Sequence, residues 1–397
     1  MEIQQLLQDA RELQEQLISW RRDFHRHPEL GFQEQRTASI VADYLQGLGL
    51  EVQTGIGGTG VTALLRGEQD GPTIALRADM DALPIEEATG VEYASRNPGV
   101  AHLCGHDAHT SILMGAARLL TGKYRPTRGN VKFIFQPAEE GLAGAAAMIR
   151  DGVLESPRVD AIAGLHVNPA LPVGRFNVTK GVAYASVDTI ELRIIGQGGH
   201  AARPHEAIDS IAVSAQVINA MHSMATRSID PLETVVITIG KIEGGYMENV
   251  IAPEVRMRGT IRTLSASVRK QVPELLRRTI RGVTEAFGAS FELTIHEGYP
   301  TVVNDDGLVA FFGETNELLF GEPRWEFVSP STGGEDFAFY AERIPGVYFR
   351  LGTSNGDPAT SYPLHHPKFN LDETALPLGS AMLAAIAIHY LEQHVRD

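Results

Sequence analysis

Apolar residues recur with helical period through the first part of the chain. Across residues 4–26, Leu6, Ala10, Leu13, Leu17, Trp20 and Phe24 share one face, which predicts a single amphipathic helix. A second helical face carries Thr37, Ile40, Val41, Tyr44 and Leu48, and Gly49 marks its stop. Short apolar runs then alternate with helical stretches. Strands are predicted over Val61–Arg66, Thr73–Ala78, Val131–Gln136 and Asp160–His166, with helices near 108–121 and 143–152. That alternation predicts an α/β fold, a sheet with helices on both sides.

Near residue 183 the pattern changes. Asp188–Ile195, Thr234–Ile239, Val255–Arg262 and Ser290–His296 read as strands, and Ala207–Arg227 and Val268–Phe287 as helices. Strand-helix-strand-strand-helix-strand is a ferredoxin-like α+β unit that can fold alone. The expected organisation is a discontinuous domain, residues 1–182 plus 298–397, with residues 183–297 inserted. The final helix, about 373–394, is expected to pack back on the sheet.

A length of 397 residues supports two domains, and 43% hydrophobic with 21% charged residues fits a globular protein. The formal charge of −15 argues against nucleic acid or an anionic membrane as partner. The N-terminus, Met1-Glu2-Ile3-Gln4-Gln5, has no apolar signal core, and no run approaches the roughly 20 apolar residues of a membrane span. One cysteine cannot form an intrachain disulfide, so a cytoplasmic location is expected.

Candidate chemistry gathers at the predicted strand ends, where open α/β sheets place their sites. Cys104, His106, Glu140, His166 and His365 offer thiolate, imidazole and carboxylate, a set suited to zinc, manganese or nickel. Five donors exceed what one tetrahedral ion takes and suit two ions that share a ligand and leave room for water. Cys104 and His106 are two apart, as a loop allows, and Asp107 is expected to cap the next helix. Glu139 and Glu140 are expected to point in opposite directions along extended chain, one to metal and one to substrate. A carboxylate left beside a metal-bound water can take its proton and pass it to the leaving amine. Asp81 is the candidate carboxylate for the far ring nitrogen of a ligand histidine. His102 and His109 read equally as supports of the site or as exposed residues. His200 could donate to a developing oxyanion, although an exposed loop histidine is the plainer reading. Asn249 and Arg262 are similar, with Arg262 suited to clamp a carboxylate. The loop holding Gly334 could present backbone N–H groups to an anion.

Several segments together resemble the aminoacylase/carboxypeptidase family of co-catalytic metallohydrolases, in its amidohydrolase branch of hippuricases, N-acyl-amino-acid amidohydrolases and auxin-conjugate hydrolases. They are Asp23–Leu30, Arg77–Pro84, Cys104–His109, Gln136–Gly141, Gly199–Ala201 with Pro204-His205, Asn249–Ile251 with Pro253, and Leu364–Pro367. The resemblance implies a mixed-sheet catalytic domain of phosphorylase/hydrolase-like type with an inserted lid or dimerisation domain, and a homodimer or higher homo-oligomer. It implies two divalent metal ions on Cys104, His106, Glu140, His166 and His365, with Cys104 bridging. It further implies Glu139 as base, His200 and Asn249 at the reacting carbonyl, and Arg262 on the substrate carboxylate. Other branches carry a ligand histidine where this chain has Asp79, so Asp79 is not carried over as a ligand. The expected reaction is hydrolysis of an N-acyl amino acid. Carboxypeptidase action on short peptides is the near alternative, and a Cys104 nucleophile or a non-catalytic binding protein the remote ones.

Overall fold

The computed structural model describes residues 3–394; residues 1–2 and 395–397, the ends of the expected outer domain, lie outside the described residues. The chain divides into two compact units. The larger holds the described residues through Ala183, Val303–Ser329 and those from Asp336 onward; the smaller holds Tyr184–Val302 and Pro330–Glu335.

The larger unit is built on an eight-stranded mixed sheet. Its strands run in the order Glu51–Ile56, Gly60–Arg66, Arg128–Gln136, Gln69–Asp79, Ala161–Pro172, Gly346–Ser354, Phe176–Val178, Trp325–Phe327. From Arg128–Gln136 to Gly346–Ser354 neighbouring strands are parallel, and this central stretch is apolar because it is covered on both faces. Arg77 is one exception, a charge at 1% exposure within a strand that is otherwise apolar from Ile74 to Ala78. Gly346–Ser354 was not expected as a strand: Arg350 and two glycines interrupt a run that burial on both faces otherwise favours.

The predicted helix over 4–26 is two helices, Ile3–Glu12 and Gln14–Arg26. They part at Leu13, whose N–H bonds Ala10 three residues back, a tight turn that no proline or glycine announces. The last helix, Leu376–Gln393, is preceded by a 3₁₀ turn at Glu373–Ala375. The stretch Glu373–Gln393 is long and apolar enough to cross a membrane, against the expectation that no run approaches that length, and 94% of its apolar window is buried inside the fold. It packs on His106–Thr121, where Ser380 donates to the Ile112 carbonyl at 2.8 Å. Gly115 permits this approach, since a Cβ there would stand 2.5 Å from Ser380 Oγ.

The smaller unit has a four-stranded antiparallel sheet in the order Val235–Gly244, Glu254–Thr263, Ser186–Ile195, Ser290–Tyr299. Helices Ser210–Arg227 and Ala266–Ala286 complete the ferredoxin-like order. Strand Ser186–Ile195 alternates buried and less buried positions, and Ile190, Leu192 and Ile194 meet Val213, Val217, Val272 and Leu276 from the helices. The first helix starts at Ser210, three residues later than its apolar pattern suggests, because Asp209 accepts from the N–H groups of Ile211 and Ala212.

Candidate metal centre

The donors arrive on loops at one end of the large sheet. Asp79 closes strand Gln69–Asp79, Gln136 closes Arg128–Gln136, and His166 sits within Ala161–Pro172. Gly105 turns the Cys104–His106 loop with φ 90°, and a Cβ there would lie 2.4 Å from Val167 Cγ2. The helix begins at His106, so Asp107 is inside its first turn and not its cap. Its carboxylate faces inward and accepts from Arg21 Nε at 2.8 Å, with His25 Nδ1 also at 2.8 Å. His365 adopts φ 66°, a strained value for a histidine, while its N–H donates to Leu103 O at 2.7 Å.

These turns bring all five expected donors together. Cys104, His106 and His166 offer ligand atoms within 4.8 Å of one another, as do Cys104, Glu140 and His365, and His106, Glu139 and Glu140. Cys104 Sγ lies 3.4 Å from His166 Nε2. His166 Nδ1 donates to Val167 O at 2.8 Å, which leaves Nε2 with a free lone pair. Glu140 Oε1 and His106 Nε2 are buried with no hydrogen bond. His365 Nε2 approaches Glu140 Oε1 at 3.2 Å without hydrogen-bond alignment, as two ligands of one ion do. Orphaned donor atoms of this chemistry fit divalent metal.

The electrostatics agree with that fit. Burial, followed by Glu140 and Glu139, pushes the Cys104 thiol well up, so a nearby cation is what would make it a thiolate. Burial, then His109, drives His166 well down and keeps its imidazole neutral. Burial opposes charge on His106, but Asp79 and then Asp81 outweigh it and push its pKa up to about 10.

Asp81 Oδ1 lies 3.2 Å from His106 Nδ1, and its Oδ2 accepts from the Glu140 N–H at 2.9 Å. Asp79 takes a different partner. Its Oδ1 is 2.6 Å from His109 Nδ1, and His109 Nε2 accepts from the Val167 N–H at 2.9 Å, so the ring proton sits on Nδ1. His109 is therefore a buried link between two strand ends. His102 is also buried, and neither of its ring nitrogens has a hydrogen bond.

Glu139 and Glu140 lie on a tight turn and not on extended chain. Ala138 has φ 55° and Ala143 φ 58°, and Glu140 leaves the helical region at φ −71°, ψ 76°. Glu140 joins Cys104 and His365, while buried Glu139 accepts from the Asp336 N–H at 3.3 Å and also offers an oxygen in one donor group with His106 and Glu140. Gly144 closes the turn, and a Cβ on it would stand 1.7 Å from Pro137 O. Gly144→Ala must therefore displace the turn. Turnover is expected to fall by about 10²-fold, the cost of misplacing a reacting group by about 1 Å, measured as kcat in the folded variant.

Glu34 holds the same turn from behind. Its Oε1 accepts from the Ala138 N–H at 2.8 Å and its Oε2 from the Thr59 hydroxyl. Burial raises its pKa from 4.5 to about 7. A raised acid contributes stability at low pH that is lost as pH rises through the folded value, here between about 4.5 and about 7. Glu34→Gln should flatten that part of the curve of urea midpoint against pH.

The remaining expected site residues belong to the smaller unit. His200 pairs with Val250 across a short ribbon, and the Ala201 N–H donates to Asn249 O at 3.1 Å, so His200 and Asn249 share one structure. Both side chains are exposed. Arg262 Nη1 donates to the Thr332 carbonyl at 2.8 Å, which ties it to the loop of Gly334. Gly334 packs against Val187, 2.7 Å from where a Cβ would stand.

Arg77, Asp336, Glu34 and the Arg21–His25 pair were not singled out from the sequence as parts of the site. Arg77 carried a readable signal, because a charge within an apolar strand must find partners.

A thiol, imidazoles and carboxylates whose donor atoms converge, some of them buried without a hydrogen bond, have the donor chemistry of a divalent-metal site. Residues 75–389 match Peptidase family M20/M25/M40, and the chain belongs to that family. It is 39% identical over 392 residues to thermostable carboxypeptidase 1 of Saccharolobus solfataricus, covering 98% of each chain. It is 41% identical over 377 residues to an N-acetylcysteine deacetylase of Bacillus subtilis, covering 95% of this chain and 97% of that one. Among solved structures, a Bacillus subtilis dinuclear metal-binding peptidase of the M20 family superposes with a TM-score of 0.83 at 38% identity, over 96% of this chain and 99% of that one. The protein is a metal-dependent enzyme that hydrolyses amide bonds.

Proposed function

We propose that this enzyme releases amino acids from N-acyl-L-amino acids, with Cys104, His106, Glu140, His166 and His365 holding two divalent ions and Glu139 acting as general base. The observation that carries the reading is the convergence of Cys104, His106, Glu140, His166 and His365, with Glu140 Oε1 and His106 Nε2 buried without hydrogen bonds and Glu139 held beside them by the Asp336 N–H. Zinc, manganese and nickel suit the donor set. Bound ions supply a polarised carbonyl oxygen and water of lowered pKa. Glu139 would take a proton from the attacking water and return it to the leaving amine. Asp81 fixes the ring of His106. His200 and Asn249 serve the reacting carbonyl, and Arg262 with the Gly334 backbone serves the free carboxylate of the substrate. The buried, metal-directed Cys104 suits a reducing compartment, so we place the enzyme in the cytoplasm, as a homodimer on small-molecule substrates.

A carboxypeptidase action on short peptides is the second reading, favoured by the Saccharolobus solfataricus relative, which matches almost as well as the deacetylase. The test is amino-acid release from N-acetyl, N-benzoyl and dipeptide substrates by chelator-treated enzyme, before and after manganese or zinc. Release should vanish on metal removal and return on addition, with N-acyl amino acids ranked above dipeptides. Dipeptides ranked first would establish the second reading. Release that survives verified metal removal would defeat both.

A further inference from the structure

Asp336 stands where the chain leaves the smaller unit, since Pro330–Glu335 belongs to that unit and Asp336 to the larger. It is buried, and four hydrogen bonds converge on its carboxylate. Arg77 Nη2 donates to Oδ1 at 2.9 Å, Gln136 Nε2 reaches Oδ1 at 2.8 Å and Oδ2 at 2.9 Å, and the Ala145 N–H donates to Oδ2 at 2.9 Å. Gln136 immediately precedes the turn that carries Glu139 and Glu140, and Ala145 follows it. The backbone N–H of Asp336 donates to Glu139 Oε1 in the middle of that turn. One residue therefore grips both ends of the turn and touches the carboxylate it presents.

Arg77 connects this grip to the metal donors. Its Nη1 donates to Asp79 Oδ2 at 2.6 Å and its Nε to Gln136 Oε1 at 2.8 Å. Asp79 in turn holds His109 and lies 3.8 Å from His106 Nε2. The guanidinium has two arms, one toward the ligand helix through Asp79 and one toward the base through Asp336.

We propose that Asp336 is a positioning residue for Glu139, and that Arg77 sets the base and the metal donors in one register. The Asp336 N–H donates to one oxygen of Glu139 and so fixes the direction in which that carboxylate is held. This inference rests on Glu139 being the base. Because the two arms of Arg77 are separate, they predict separable losses. Loosening the Asp336 arm disturbs the proton transfer and spares the metal donors. Loosening Arg77 disturbs both.

The experiment compares Asp336→Asn, Arg77→Lys and Glu139→Gln in the metal-loaded enzyme. It reads kcat and KM, the metal dissociation constant by chelator competition, and thermal unfolding. Asparagine keeps an oxygen for Arg77 but puts an amide NH₂ toward donors that Asp336 now satisfies. Asp336→Asn is expected to lower kcat about 10- to 100-fold, as for a group displaced by a fraction of an ångström, with KM and metal affinity within about twofold of wild type. Arg77→Lys is expected to lower kcat and metal affinity together. A purely structural role for Asp336 would make its variant lose metal and kcat in parallel, which would overturn the proposal. An Asp336→Asn enzyme with wild-type kcat beside an inactive Glu139→Gln would also overturn it. A fully active Glu139→Gln would instead defeat the reading of the base. If Asp336→Asn does not fold, Gln136→Glu, which keeps an oxygen for Arg77 Nε but removes the amide donor to the Asp336 carboxylate, must show the same split; wild-type kcat there would count against the proposal.

Discussion

Glu139→Gln should leave a folded, metal-loaded enzyme whose turnover is lower by about 10²- to 10⁴-fold, the usual worth of a positioned general acid–base. The glutamine side chain keeps an oxygen to accept from the Asp336 N–H, so the turn need not move. What disappears is the capacity to take a proton from water. KM should change little if ground-state binding is untouched, and the loss should appear in kcat and kcat/KM alike. Stopped assays on the best N-acyl amino acid, with metal content measured on the same sample, check it. The contrasting substitution is Glu140→Gln, which removes a ligand, so metal should be lost along with activity.

Arg21→Met is expected to carry the largest stability cost, about 3–5 kcal/mol, because it strands a buried carboxylate. Arg21 and Asp107 are both fully buried, and Arg21 also reaches Glu373 at 3.2 Å and Asn370 at 3.1 Å. Burial alone would raise the Asp107 pKa. The Arg21 guanidinium and the hydrogen bond from His25 outweigh it and hold the carboxyl far below the usual range. The sign follows: a depressed acid gives stability that is present above its unfolded pKa of about 4 and is lost as pH falls through the folded value. In Arg21→Met the acid-induced unfolding transition should therefore begin at higher pH than in wild type. Urea midpoints at neutral pH and an acid titration followed by circular dichroism measure both effects. Unchanged midpoints would mean that the pair is worth no more than an exposed one.

The parts of this molecule that were legible in its sequence are those set by periodicity and by donor chemistry. Alternation along Ser186–Ile195 revealed its buried face, and strand-end clusters containing Cys104, Glu140 and His166 pointed to a shared site. Strand Gly346–Ser354 escaped because an interior strand covered on both faces loses its alternation, and Arg350 breaks what apolar run remains. Asp107 read as a helix cap because capping is a local rule. Its actual partners, Arg21 and His25, are more than 80 residues away in the chain. Asp336 escaped for the same reason, since nothing next to it in sequence states that Arg77, Gln136 and Ala145 will converge on it. Long-range polar pairing is decided by topology, and topology is what a single sequence conveys least.

The position of Gly346–Ser354 in the middle of the large sheet also dictates an order of events during synthesis. A ribosome delivers the chain from its N-terminus, and domains tend to fold as they emerge. The strand Ala161–Pro172 is made early, yet its parallel neighbour Gly346–Ser354 follows the whole of the smaller unit. The smaller unit, nearly all one continuous stretch, can close while the sheet still waits with an open edge. Until Gly346–Ser354 appears, late in the chain, that edge is an apolar template in a crowded cell, and a nascent chain stalled there is the form most in need of a chaperone.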